Sequence, residues 1–326
     1  MRTALVLNPE AGTSLLASQK LPGEDLEAAL LQLLRAQNIE AEVYYTTPED
    51  PGQGIAARLA EQHVELIVAV GGDGTVHAVA HGLIGSESVL GIIPAGTMNN
   101  LARSLGIPET LEEACALLAN GEARRIDVGS INQHMFLEVA GVGLEAALFP
   151  AAEEVKSPGF FSTLRGVIHG LAVLFRFQPP QMSLAFDGKR PRRYRAIEVT
   201  ICNAPYYGTH LNVAPEIFMN DGWLNVVIYT NFSKREYIRH ALSISQGRRV
   251  FTPKIIYRRA KSLRISTPET VEIQADGVVY GSTPAEITVL PGALNVQVPK
   301  GPVPGLLPEI KREAAGHVRR RKKAYA

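Results

Sequence analysis

One glycine-rich segment restricts the fold of this chain more than any other feature. Gly71-Gly72-Asp73-Gly74-Thr75 comes directly after the apolar run ELIVAV at 65–70 and directly before the helix-like stretch VHAVAHGLI. Glycines permit positive φ angles and close approach of a ligand, and the free N–H groups at a helix start attract phosphate. A carboxylate in such a loop is compatible with phosphate when a divalent cation or a sugar hydroxyl lies between them. The segment therefore predicts a phosphate-binding turn, with a tight glycine turn carrying an Asx cap as the structural alternative.

The first 125 residues alternate between short apolar runs and amphipathic stretches. Strands are predicted at 3–7, 42–45, 65–70 and 89–93, and helices at 25–37, 54–62, 76–84 and 111–120. This alternation predicts an α/β domain at residues 1–125, with a Rossmann-like parallel sheet and helices on both of its faces.

After residue 125 the pattern changes to short strand-like segments that are separated by Gly, Pro and Asx turns. They lie at 126–131, 135–139, 181–186, 196–203, 223–229, 262–266, 271–274 and 285–289, with helices near 160–177 and 234–244. This pattern is typical of an antiparallel β-sandwich, which we predict for residues 126–303. Residues 304–326 are predicted to form a basic tail.

Composition excludes several classes of protein. The 326 residues are 46% hydrophobic and 20% charged, which excludes a disordered chain, a collagen-like repeat and a coiled coil. Two cysteines, Cys115 and Cys202, are too few for a disulfide framework or a zinc site. No apolar run reaches the roughly 20 residues that cross a bilayer, and the N-terminus lacks the pattern of a signal peptide. We therefore expect a cytoplasmic protein.

Three more polar or glycine-bearing loops follow predicted strands of the parallel sheet. Asn8-Pro9-Glu10-Ala11-Gly12 follows the first strand, Thr46 and Thr47 follow the second, and 94–100 follows the fourth. Loops after the carboxyl ends of parallel strands form the ligand crevice of such a sheet. Together with 71–75, they outline a site of nucleotide size.

These motifs resemble the catalytic domain of the diacylglycerol kinase family, which includes sphingosine and ceramide kinases, and most closely its YegS-like bacterial branch. The resemblance extends to about residue 300. The matching segments are Asn8-Pro9-x-x-Gly12, GGDGT at 71–75, Pro94-x-Gly96-Thr97-x-Asn99-Asn100, Arg125-Ile126-Asp127-Val128-Gly129, Asn203, Pro215, Asp221-Gly222-Trp223-Leu224 and Asp276-Gly277.

The resemblance implies a kinase that uses ATP and Mg²⁺ to phosphorylate a lipid hydroxyl, as in phospholipid biosynthesis. It assigns the catalytic roles to Asp276, as general base, and to Asp73, acting with Mg²⁺. It assigns a structural Mg²⁺ to the carboxylate of Asp221 and the carbonyls of Phe218 and Trp223. The implied nucleotide-binding residues are Asn8, Thr46, Gly71, Gly72, Asp73, Gly74, Thr75, His77, Gly96, Thr97 and Asn99.

Two positions depart from the family pattern. Val278 stands where the family has the Glu of Asp-Gly-Glu, and Asn100 stands where an Asp is common. The change at Val278 motivates one alternative, a nucleotide- or lipid-binding protein with weakened catalysis. A second alternative is a kinase of the NAD kinase or phosphofructokinase type. For Asp276 and Asp221, an ordinary turn is the alternative to a functional role.

The residues do not identify the acceptor of the phosphoryl group or the binding partners as closely as they identify the nucleotide-binding candidates. Diacylglycerol, a sphingoid base, a prenyl alcohol and a glycolipid all remain open as acceptors. The apolar helix near 160–177 fits either a lipid chain or core packing, and the basic segments 189–195 and 258–261 fit anionic headgroups or solvent. The tail at 301–326 carries seven basic and two acidic residues. We expect peripheral contact with an anionic membrane surface and no nucleic-acid partner.

Overall fold

The computed structural model describes residues 2–11, 26–144, 146–148, 160–206, 217–245 and 254–308. Gly12, Pro215 and the tail beyond residue 308 lie outside the described residues. The side chains of Phe160, Phe161, Leu164, Val167 and Leu171 also lie outside them.

The first lobe is a parallel sheet with helices on both faces, as the sequence predicts. Its strands are β1 (Thr3–Leu7), β2 (Ala41–Tyr45), β3 (Leu66–Gly71) and β4 (Val89–Pro94), in the order β2-β1-β3-β4. Its helices are α1 (Leu26–Ala36), α2 (Gln53–Glu61), α3 (Asp73–Leu83), α4 (Asn100–Ser104) and α5 (Leu111–Asn120).

Alternate residues of the buried strands contact different helical layers. In β1, Leu5 and Leu7 pack in one core with α1 and α5, whereas Ala4 and Val6 pack in the other with α2 and α3. All five residues of β1 are buried. A strand that is covered on both faces requires a continuous apolar run, which explains why the sequence identifies these strands well.

The second lobe is antiparallel, as predicted. Its strands are β5 (Glu122–Ile131), β6 (His134–Phe136), β7 (Val139–Gly143), β8 (Gln181–Phe186), β9 (Arg192–Cys202), β10 (Leu224–Thr230), β11 (Ile255–Ala260), β12 (Ser262–Ser266), β13 (Glu272–Ala275), β14 (Val278–Ser282) and β15 (Ala285–Val298). Two helices accompany them, α6 (Phe160–Arg176) and α7 (Lys234–Ser245).

Strand β9 connects the two sheets of the second lobe. Its first part pairs with β8, and its last part lies between β7 and β10. The strand path from β14 through β13, β7, β9, β8, β12 and β15 then continues into β4 of the first lobe. Strand β7 beyond Val139 and strands β11 and β14 were not predicted. Three successive residues of β11 are exposed, and most of β14 is exposed. Each therefore shows only a short apolar start, Ile255–Tyr257 in β11 and Val278–Tyr280 in β14, followed by polar residues or glycine.

Strand β15 is longer than the sequence predicts and belongs to both lobes. Its first half pairs with β12, whereas Asn295 and Val296 pair in parallel with Val89 and Leu90 of β4. The side chains of Leu294, Val296 and Val298 lie in the core of the first lobe. The domain limits at residues 125 and 303 stay predictions. Among the described helices, none is long and apolar enough to cross a membrane.

Candidate active site

The glycine loop joins β3 to α3, and its glycines provide space rather than unusual backbone angles. Gly72 caps α3 in an extended conformation, with a φ of −82°. The expectation of positive φ in this loop is therefore wrong for Gly72. A Cβ atom on Gly71 would lie 2.6 Å from Thr75 Oγ1, and one on Gly96 would lie 2.6 Å from the Cα of Gly72. A Cβ on Gly74 would have no atom within 4 Å, so the loop is open at this position.

Asp73 connects the glycine loop to the loop that follows β4. Its carboxylate accepts the backbone N–H groups of Asn99 and Asn100, each at 2.9 Å. These are the orphan donors at the start of α4, so Asp73 caps that helix from a distance of 26 residues in the chain. The side chain of Asn99 makes two hydrogen bonds with the backbone of Gly96. Its Oδ1 accepts the Gly96 N–H at 3.0 Å, and its Nδ2 donates to the Gly96 carbonyl at 2.9 Å.

The other nucleotide-binding candidates lie at the same edge of the sheet. Asn8 Nδ2 donates to Thr75 Oγ1 at 3.3 Å. Thr46 follows β2, where its N–H donates to the carbonyl of Leu7, and Thr97 is exposed in the loop after β4. The strand order thus brings the predicted segments together, although their assignment to a nucleotide stays a prediction.

Asp276 lies in a hairpin turn and also faces the first lobe. Asp276 and Gly277 have φ angles of 46° and 82° and connect β13 to β14, as the turn interpretation predicts. The carboxylate accepts three backbone N–H groups, from Leu137 at 2.6 Å and from Glu138 and Val139 at 3.0 Å. These bonds fix its orientation. The turn and a catalytic role are therefore compatible.

A buried pair of side chains connects the two lobes. His77, on α3, has its Nε2 2.8 Å from Oε1 of Glu138, which precedes β7. Burial opposes the charged form of His77, but the charges of Asp276, Glu138 and Asp73 overcome it and raise the pKa of His77 to about 9. Burial raises the pKa of Glu138 to about 7, against the opposing effect of His77.

Glu138 was not singled out from the sequence, although one signal was present. It is a single acidic residue inside the apolar stretch MFLEVAG, and its side chain is 3% exposed. Acidic side chains are rarely buried unless they are paired. An acid at such a position therefore indicates a partner, but nothing in the sequence identifies that partner as His77.

Asp73, His77 and Glu138 present ligand atoms that all lie within 4.8 Å of one another. Carboxylate oxygens suit Mg²⁺, whereas imidazole nitrogen suits transition metals. Because His77 is bonded to Glu138 and its pKa is raised, it does not offer a free lone pair near neutral pH. The carboxylate of Asp73 is the member of this set that fits Mg²⁺ best.

Asp221 lies apart from this cluster and is paired with an arginine. Its Oδ1 accepts the N–H of Trp223 at 2.9 Å, and its Oδ2 accepts a hydrogen bond from Arg259. Burial raises the pKa of Asp221 despite the guanidinium of Arg259. Arg259 also lies over the Trp223 ring, 5.4 Å from its centroid. The assignment of Asp221, Phe218 and Trp223 to a metal stays a prediction, and Arg259 already provides a positive charge at this position.

Two further residues of the matching motifs, Asn203 and Asp127, fix the backbone around the site by hydrogen bonds. Asn203 donates to the carbonyls of Asp127 and Leu137 at 2.9 and 2.8 Å, and its own N–H donates to the carbonyl of Glu138. Asp127 accepts the N–H groups of Gly222 and Gly292 at 2.6 and 2.8 Å. These bonds fix the backbone that carries Glu138 and the donors to Asp276.

The two departures from the family pattern differ in position. Val278 begins β14 and is 49% exposed, next to the turn that carries Asp276. Asn100 is buried, and its N–H donates to Asp73. Of these two positions, Asn100 is the one that bonds directly to the glycine loop.

Comparison with family models accounts for most of the chain. Residues 2–131 match the model of the diacylglycerol kinase catalytic domain. Residues 138–298 match that of the YegS C-terminal NAD kinase beta sandwich-like domain.

Similar proteins agree with these matches. A diacylglycerol kinase of Bacillus subtilis is 29% identical over 304 residues, covering 92% of this chain and 97% of that protein. A diacylglycerol kinase of Staphylococcus carnosus is 24% identical over 303 residues, covering 92% and 95%. Both matches extend through the two lobes.

Solved structures share the fold. A diacylglycerol kinase from Bacillus anthracis has a TM-score of 0.67 at 22% identity, covering 92% of this chain and 97% of that chain. An NAD kinase from Archaeoglobus fulgidus in complex with ATP has a TM-score of 0.52 at 15% identity, covering 91% and 94%. The chain therefore combines a domain of the diacylglycerol kinase catalytic family at residues 2–131 with a YegS-type second domain at residues 138–298.

Proposed function

We propose that this kinase-family protein transfers the γ-phosphoryl group of ATP, bound with Mg²⁺, to the hydroxyl of a lipid alcohol. The observation that carries the proposal is the His77–Glu138 contact of 2.8 Å. It places the helix of the glycine loop against the backbone segment that orients Asp276. A phosphate donor on one lobe and a proton acceptor on the other therefore share one site.

The first lobe supplies the phosphate-binding surface. Gly74 leaves the loop open, and the N-terminal N–H groups of α3 favour an anion at this position. The protonated imidazole of His77 adds a positive charge next to the loop. Phosphoryl transfer depends mainly on positioning and on neutralising the phosphate oxygens, which these groups provide.

Mg²⁺ bound with the nucleotide would neutralise phosphate charge, and Asp73 is the residue that would hold it. Both oxygens of Asp73 already accept a backbone N–H, so the carboxylate is fixed before the nucleotide binds. This residue therefore sets the distance between the two loops while it presents its remaining lone pairs to a cation.

Asp276 would take the proton from the lipid hydroxyl. Three backbone donors hold its carboxylate, so the group does not need to reorient when the acceptor binds. A positioned carboxylate of this kind typically contributes about 10²–10⁴-fold to the rate. Asp276→Asn should therefore remove most of the turnover and leave nucleotide binding intact.

A lipid acceptor is supported by apolar surface on the second lobe. On α6, Ile168 is 59% exposed and Phe175 is 74% exposed. Apolar side chains of this size at the surface of a helix favour contact with acyl chains or with a membrane surface. We propose that the protein acts at the membrane surface without crossing it.

The test is incubation of the protein with MgATP and a total lipid extract, followed by mass spectrometry of phosphorylated products. NAD is offered in a parallel reaction, because an NAD kinase shares the fold. A phosphorylated lipid that disappears with Asp276→Asn supports the proposal. Phosphorylation of NAD alone, or nucleotide binding with no product in either reaction, would overturn it.

A further inference from the structure

A basic pocket lies on the second lobe, at the turn between β8 and β9. Its volume is about 420 Å³, which is within the range of pockets that hold small molecules. None of the residues that line it belongs to the glycine loop, to the loop after β4 or to the turn between β13 and β14. Its lining contains one carboxylate, that of Asp187, and five cationic side chains, those of Lys189, Arg190, Arg192, Arg258 and Arg259.

The backbone around the basic pocket is fixed by the carboxylate of Asp187. Its Oδ1 accepts the N–H of Lys261 at 2.8 Å and that of Ser262 at 3.2 Å. These bonds hold the turn after β8 against the connection between β11 and β12. The two basic segments that the sequence shows, 189–195 and 258–261, therefore contribute to one pocket.

Most of the positive charge in the basic pocket is not neutralised by the protein. No described residue forms an ion pair or a hydrogen bond with the side chains of Lys189, Arg190 or Arg192. Arg259 is paired with Asp221, and the carboxylate in the lining already accepts two backbone N–H groups. Like charges that are held close together repel one another, and a bound anion relieves that repulsion.

The number of cations favours a ligand with more than one phosphate group. An arginine can bind a phosphate through two parallel hydrogen bonds, so a few arginines are enough for one phosphate group. Four arginines and a lysine are more than a single phosphate group needs. Phe186 and Tyr194 also line the pocket, where they offer ring surface and a hydroxyl to the organic part of a ligand.

The basic pocket does not have the composition of a membrane-binding surface. Such surfaces combine cations with exposed apolar side chains that enter the lipid. Among the described residues, none of the exposed large apolar side chains lines the pocket, and those of Ile168, Phe175 and Ile238 belong to α6 and α7. This composition favours a soluble ligand over a lipid headgroup.

We propose that the basic pocket binds a small soluble molecule that carries at least two phosphate groups. The phosphates lie among the side chains of Arg190, Arg192 and Arg258, and they compete with Asp221 for the guanidinium of Arg259. The site is separate from the function proposed above, because it uses no residue that was assigned to ATP or to proton transfer.

The single tryptophan of the chain provides a signal from this pocket. Trp223 has two cations over its ring, Arg259 at 5.4 Å and Lys261 at 5.2 Å from the ring centroid. Arg259 also lines the basic pocket. An anion that draws Arg259 away from the indole therefore changes the fluorescence of Trp223.

The test is titration of the full chain with sodium pyrophosphate in metal-free buffer of low ionic strength, followed by calorimetry and by tryptophan fluorescence. The pocket variant carries Arg192→Gln and Arg258→Gln together. We expect it to bind pyrophosphate at least about 10-fold more weakly than the wild type and to lose the fluorescence change, because two charged partners of the phosphates are absent. Both arginines are exposed, so the melting temperature without ligand should stay close to that of the wild type.

The matched control carries Arg235→Gln and Arg239→Gln, which remove two exposed arginines from α7. It should bind pyrophosphate as the wild type does. Equal binding by the pocket variant and the wild type would place pyrophosphate elsewhere, for example at the glycine loop, and would overturn the inference. Equal losses in the pocket variant and the control would overturn it as well, because net charge alone would then explain the binding.

Vesicles distinguish a soluble ligand from a headgroup. The wild type and the pocket variant are sedimented with vesicles of phosphatidylcholine and phosphatidylglycerol, and we expect the two proteins to sediment equally. If the pocket variant loses vesicle binding while the wild type binds no pyrophosphate, the pocket is a membrane contact and the inference is wrong. Because neither measurement uses turnover, a failure of the proposed kinase activity does not affect the result.

Discussion

His77 Nε2 lies 2.8 Å from Glu138 Oε1, and this contact connects the helix after the glycine loop with the second lobe. Three carboxylates, those of Asp276, Glu138 and Asp73, act on the same imidazole. The protonation of His77 therefore affects both the stability of the fold and the charge beside the glycine loop.

Raising the pH from about 6.5 to about 9 should lower the free energy of unfolding. The ordinary pKa of a histidine is 6.5 and that of His77 in the folded protein is about 9, so its contribution is complete below pH 6.5 and lost as the pH rises through 9. The shift corresponds to about 3 kcal/mol at most. Urea unfolding at pH 6.5, 8 and 9.5 measures it.

His77→Asn should unfold with a weaker dependence on pH in this range, because the titrating group is absent. Because His77 holds down the pKa of Glu138, the Glu138 carboxyl of this variant titrates above pH 7, so the comparison is repeated with Glu138→Gln in both proteins. Parallel stability curves for the variant and the wild type between pH 7 and 9.5 would contradict the assignment to His77.

Asp73→Ala should reduce both stability and turnover. The N–H groups of Asn99 and Asn100 lose their acceptor, which costs about 2 kcal/mol. We expect phosphate transfer to fall at least about 100-fold. Asp73→Asn is the control, because one amide oxygen still accepts an N–H and restores part of the stability without the charge. If Asp73→Asn turns over at the wild-type rate, the charge of Asp73 has no role in transfer.

Gly74→Ala should weaken ATP binding without lowering the stability of the fold. No atom lies within 4 Å of the added Cβ, and alanine favours a helix over glycine by up to about 1 kcal/mol. The variant should therefore be at least as stable as the wild type. KM for ATP should rise about 10-fold or more, because the methyl group would occupy the surface proposed to bind the phosphates.

Gly96→Ala provides the contrast to Gly74→Ala. The added Cβ would lie 2.6 Å from the Cα of Gly72, so either the glycine loop or the loop after β4 would have to move. A loss of about 1–3 kcal/mol is expected from the free energy of unfolding. Equal stability of the Gly74 and Gly96 variants would show that the contact between the loops is unimportant.

Arg259→Gln should make the protein sensitive to Mg²⁺. The variant leaves the carboxylate of Asp221, which is 7% exposed, without its guanidinium partner. Half of the Arg259 side chain is exposed, so we expect a loss of only about 1–2 kcal/mol. Millimolar Mg²⁺ should then raise the melting temperature of the variant more than that of the wild type. Equal responses to Mg²⁺ and to chelation would argue against cation binding at Asp221.

The parallel sheet was predictable because β1, β3 and β4 are buried on both faces and read as continuous apolar runs, whereas β2 at the edge is only partly covered. The position of the loops followed from the same pattern, since strand order alone places the carboxyl ends together. The explanation of the glycines was partly wrong. The sequence cannot distinguish a glycine that needs positive φ from one such as Gly96, which lies too close to another backbone for a side chain.

The contacts that were missed join residues far apart in the chain. His77 and Glu138 are separated by 61 positions, and Arg259 and Asp221 by 38. Neither pair has a local spacing that periodicity can detect. The second half of β15 was missed for a similar reason. Pro291-Gly292 resembles the end of a strand, and its partner β4 lies about 200 residues earlier.

The course of β15 has a consequence for how the protein is made. The sheet of the first lobe contains a strand from near residue 296, so it stays incomplete during synthesis until that strand has left the ribosome, about 200 residues after β4. Until then, the edge of β4 and the apolar residues beneath it are exposed to other chains. A nascent fragment that ends after the first lobe should therefore aggregate or recruit chaperones instead of folding independently.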